Sequence, residues 1–174
     1  MSLDFPVMLM LLGSAAALQT ILPPPPGGFL KVPLLAAVAF YYALDRQMRV
    51  ALVAAVWAGI LTDGLGGVPP GTSALVLALL TLVLAGLRHV IPESSWGTAA
   101  GVGAIGAPLL ALAHLLMLHR RGYASHLDWT LLISLLLLIP AGAAATGLLW
   151  RVARSLDLWA GNVAPRKEIG RRDG

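Results

Sequence analysis

The chain has no cysteine, which excludes disulfides, thiolate metal sites and sulfur nucleophiles together. Charge is scarce as well: 11 % of its 174 residues are Asp, Glu, Lys or Arg, too few to clothe a water-soluble domain of this size. Side-chain amides are rarer still, with Asn162 the one asparagine and Gln19 and Gln47 the two glutamines, so a specific polar ligand would find few partners in the helices. No two histidines or carboxylates stand at a helical ligand spacing inside an apolar segment, so no metal site is expected, and nothing points to a cofactor. What fills the chain is apolar, 58 % of it, with a mean hydropathy of +0.83. That composition describes an integral membrane protein.

A membrane-crossing helix takes about 20 apolar residues, and the polar breaks divide the chain into six such segments. The expected fold is an all-α, six-transmembrane-helix bundle within residues 1–150, with spans at about 5–22, 29–44, 50–65, 72–87, 96–118 and 129–150. Pro23 to Pro26 close the first span, because proline fixes φ and lacks a donor. Asp45 to Arg49 form a charged turn after the second, and Gly64, Gly66, Gly67, Pro69, Pro70 and Gly71 make the turn between the third and fourth. Pro140 lies inside the sixth, where a kink is expected. Residues 151–174 read as a basic cytoplasmic tail. Leu149, Val152, Ala153, Leu156, Trp159 and Ala160 fall on one side of a helix expected to lie along the membrane surface, with Arg151, Arg154, Ser155 and Asp157 toward the other. Beyond it, Arg166, Lys167, Arg171 and Arg172 can meet anionic lipid headgroups at about 1 kcal/mol each.

Positive charge sets the orientation. With the N-terminus inside, nine of the twelve Lys and Arg residues fall in cytoplasmic segments, and Lys31, Arg120 and Arg121 fall outside. Both termini are therefore expected in the cytoplasm, with Trp96, Trp129 and Trp150 at span ends as an aromatic belt. Met1 to Asp4 lacks a basic n-region, so no cleaved leader is expected. The basic isoelectric point, about 10.1, follows from this topology rule and does not imply nucleic acid binding.

One carboxylate stands out. Asp63 closes the third apolar segment and shares a stripe with Ala55 and Gly59, four residues apart, so it is expected to face other helices. A carboxylate at membrane depth costs several kcal/mol unless it is paired or hydrogen-bonded, and the donors at hand are those of the Gly64–Ser73 turn. Gly97 with Gly101, or Ala99 with Gly103, offers the same small-residue spacing on the fifth span. Asp63, Ser73 and His114 all lie toward the outer leaflet and are the residue types of a hydrolytic triad. Gly71-Thr-Ser-Ala is faintly similar to the serine motif of rhomboid proteases, but the other polar helix groups of that family have no counterpart, so no catalytic residue is assigned.

The order of features resembles the MreD family of rod-shape-determining membrane proteins. The resemblance rests on Gly59, Asp63, the turn ending Gly67-Val-Pro69, then Gly71 and Ala74-Leu75. It extends to Lys31-Val-Pro33 at the start of the second span and to Tyr41-Tyr42-Ala43-Leu44 at its end. The chain departs from the family in having Leu34 after that proline, and Thr72 and Ser73 after the turn's glycine. The resemblance implies a non-enzymatic scaffold of the bacterial inner membrane that maintains cell shape by binding the bitopic protein MreC. Through it the scaffold would reach MreB filaments and a RodA-type glycosyltransferase with its transpeptidase. Gly59, Asp63, Gly67, Pro69, Gly71, Lys31 and Pro33 are then its structural or partner-contact residues. The layout is also similar to the S components of energy-coupling factor importers, six-span bundles that bind a vitamin in an outward pocket. That gives the alternative function, with Asp63, Ser73, His114 and the region of Asp128 as the polar groups available.

Overall fold

Six α-helices follow the six apolar segments. The structure, a computed structural model, describes residues 4–21, 32–66, 70–87, 95–120, 129–159 and 161. In chain order the helices are α1 (Asp4–Ile21), α2 (Leu34–Asp45), α3 (Met48–Gly66), α4 (Thr72–Leu87), α5 (Trp96–Arg120) and α6 (Trp129–Trp159), and no strand occurs among the described residues. Three of them, α3, α5 and α6, are long and apolar enough to cross a membrane; α1, α2 and α4 are shorter apolar helices.

The helix at the centre is the shortest. α2 packs against all five others, and every residue from Leu35 to Leu44 is buried. Its sequence, rich in alanine with Phe40, Tyr41 and Tyr42, suits a helix enclosed on every side, where small residues admit neighbours and aromatic rings fill the gaps between them. Phe40 reaches Gly106 of α5, where a Cβ would run into its ring. Among the described residues α2 begins after Pro33. Pro33 serves as its N-cap residue, its carbonyl accepting the Ala37 N–H at 3.0 Å. Residues 29–31 lie outside the described residues.

On α3 and α5 the buried positions are largely small and the exposed ones large. Ala51, Ala54, Ala55, Ala58 and Gly59 line the inner side of α3, while Val53, Val56, Trp57 and Ile60 face outward. The same division holds for α5, with Ala99, Gly103, Gly106 and Ala107 inside and Ile105, Leu109, Leu112 and Leu116 outside. A water-soluble helix bundle arranges these sizes the other way, since burying large side chains is what stabilises it; packing by small residues is the pattern of helices that associate in lipid.

α5 and α6 form an antiparallel pair with close backbone approach. A Cβ on Gly103 would strike the Thr146 hydroxyl and the Gly142 carbonyl, and one on Gly142 would strike the Gly103 carbonyl. Ala99 and Gly103 thus supply the packed small-residue face of α5, whereas Gly97 and Gly101 are exposed and a Cβ on either would meet no other helix. α6 runs unbroken through Pro140 and continues past residue 150 to Trp159. Its length, about 46 Å at ~1.5 Å per residue, exceeds a hydrocarbon core of about 30 Å.

Candidate functional site

The hairpin of α3 and α4 gathers the residues the sequence singled out. Gly59 lets the two helices touch, because a Cβ there would run into the backbone of Ala74. One turn later Asp63, 2 % exposed, reaches across to the start of α4. Its carboxylate accepts the Gly71 N–H at 2.7 Å and the Ser73 N–H at 3.0 Å. A helix in an apolar medium has no water for its first N–H groups, and its positive end favours an anion; Asp63 answers both needs from the preceding helix. Gly71 is required for its backbone: its φ is +96°, a conformation that a side chain disfavours, and its carbonyl accepts the first intrahelical bond of α4 from Leu75 at 3.0 Å. Gly67, Pro69 and Lys31 lie outside the described residues.

α2 is capped in the same manner. The Gln19 side chain, from the last turn of α1, accepts the Leu35 N–H at 3.3 Å. Both bonds satisfy the second helical amide of the recipient helix from the helix before it, so each fastens two successive helices to one another.

The structure also brings Ser73 and His114 together, Oγ to Nε2 at 2.5 Å. Asp63 lies beside them but makes no hydrogen bond to the imidazole, since its bonds go to backbone amides. The three residue types are therefore neighbours without forming the serine–histidine–aspartate relay, in which the carboxylate orients the imidazole. The Ser73 side chain is enclosed at 0 % exposure, and its own N–H, a usual oxyanion donor, is taken by Asp63. Among the described residues no group of three His, Cys, Asp or Glu side chains is placed to hold a metal ion.

At the opposite end of the bundle lies a polar cluster that the sequence did not reveal. Asp157 of α6 is completely buried; it accepts the Tyr41 hydroxyl at 2.5 Å and pairs with the Arg46 guanidinium at 2.8 Å. The tail's helical face is thus turned from the one expected. Thr146, Trp150, Ala153 and Asp157 face inward, and Val152, Leu158 and Trp159 are exposed. The signal was present as a spacing: these inward residues continue the stripe of Gly142 at three- and four-residue intervals past residue 150.

Comparison with family models, with curated proteins and with solved structures returns no match.

Proposed function

We propose that this chain is a six-span integral membrane scaffold of the MreD kind, with both termini in the cytoplasm, that takes part in bacterial cell-wall elongation without catalysing a reaction. Its partner is a bitopic MreC-like protein, and through that protein it links to MreB and to a RodA-type glycosyltransferase with its transpeptidase. The observation that carries this reading is the α3–α4 hairpin. The described residues on which the resemblance to MreD rests there, Gly59, Asp63, Gly71 and Ala74, form one fastened unit whose parts each have a role in its shape. The apolar exterior of the bundle and the enclosure of Ser73 support a role in binding within the membrane rather than hydrolysis. Depleting the protein in its rod-shaped host should give round cells that recover on re-expression; cells that keep their rod shape would refute the reading.

A second reading, an importer's S component, draws support from the convergence of Asp63, Ser73 and His114 at one end of the bundle. It requires tight binding of a vitamin-sized ligand by the purified protein, which calorimetry would detect.

A further inference from the structure

We infer that the end of the bundle where late α6 meets the start of α5 is a binding site for the phosphate group of an anionic glycerophospholipid, held by Arg151 and Arg154 on tryptophan platforms. The Arg151 guanidinium lies over the Trp96 ring, 5.3 Å from its centroid, and that of Arg154 lies over Trp150 at 5.1 Å. Both platforms rest on α6. Trp150 is buried, and the Trp96 indole is seated on α6 at Gly147, where an added Cβ would come within 2.7 Å of its Nε1.

Stacking occupies the face of a guanidinium and leaves its N–H edge free, and that planar edge matches the oxygens of a phosphate. The two arginines are three residues apart on one helix, so both can address a single anion. Neither pairs with a carboxylate among the described residues, unlike Arg46, whose charge is matched by Asp157. Trp96 also opens α5, so the positive end of that helix adds to the field around Arg151. A free phosphate would share this chemistry, but the surroundings favour a lipid. Trp96 opens α5, at the depth where headgroups lie, and exposed Leu148 and Val152 flank Arg151 with apolar surface suited to an acyl chain.

The inference rests on the membrane reading but not on the identity of the protein partner. Recovery of the full chain from the membrane fraction is therefore read first, and a soluble protein would overturn both. Native mass spectrometry of the detergent-purified protein then compares phosphatidylglycerol with phosphatidylcholine of the same acyl chains. The expected result is selective retention of phosphatidylglycerol that falls on the order of tenfold in the Arg151→Gln/Arg154→Gln variant, with its thermal midpoint unchanged. An Arg151→Lys/Arg154→Lys variant should lose most of the selectivity, because lysine keeps the charge but not the stacked fork. Equal retention of both lipids, full retention by the lysine variant, or displacement by millimolar inorganic phosphate would overturn the assignment.

Discussion

At the level of single residues, the two buried carboxylates among the described residues have opposite tasks. Asp63 serves backbone, holding two N–H groups of the next helix, whereas Asp157 serves side chains, holding a tyrosine and an arginine. Asp63→Asn keeps one acceptor oxygen but turns an NH2 toward an amide donor. It should lower the stability of the detergent-solubilised protein by about 1–3 kcal/mol, read as a fall in thermal midpoint. At the other end, Asp157→Ala takes from the largely buried Arg46 the carboxylate it pairs with at 2.8 Å and should cost about 3–5 kcal/mol. Tyr41→Phe removes one hydrogen bond, about 1–2 kcal/mol, and leaves the ion pair in place. The order of the two thermal midpoints checks this; equal loss would show that the ion pair adds nothing. Asp63 could be read from the sequence because its donors follow it within ten residues. Asp157 could not, because its tyrosine lies 116 positions away and only the packing of α6 on α2 joins them.

At the level of helices, the boundaries were legible wherever a proline, a glycine turn or a run of charge ended an apolar segment. α3 to α5 begin and end within two residues of expectation for that reason. α6 is the exception. Its charged final turns looked like a surface element, yet one side of them continues the buried stripe and the helix does not break. Small-residue spacing showed that close contacts should exist but not which pair made them: Ala99 and Gly103 pack, while Gly97 and Gly101 at the same spacing do not. The difference yields a paired prediction. Gly59→Ala forces α3 away from the Ala74 backbone and should lower the thermal midpoint clearly. Gly101→Ala meets nothing within 4 Å and should leave it unchanged or raise it slightly through better helix propensity. A similar loss in both variants would contradict the packing described.

At the level of the whole molecule, the helices alternate in direction, with α1 reaching α2 through Gln19, α3 meeting α4 at Asp63, and α5 lying antiparallel to α6. In the proposed six-span topology, residues 47 and 155 lie on one side of the membrane and residue 119 on the other. The natural absence of cysteine makes this easy to check. In intact cells, a membrane-impermeant thiol reagent should label His119→Cys and spare Gln47→Cys and Ser155→Cys, which should react only after lysis. Labelling all three from outside would rule out the six-span topology. Composition and hydropathy made the bundle and its apolar exterior legible, but nothing in them placed α2 at the centre, since burial of one helix by five others is a property of the assembled chain.

The proposed scaffold role is tested most directly by co-purification, in mild detergent, of the tagged protein with an MreC-like protein of its host, beside an Asp63→Asn variant expressed to an equal level. The expected result is a stable complex with the wild-type protein that the variant weakens. Recovery of a folded bundle with no MreC-like protein attached would contradict the scaffold role.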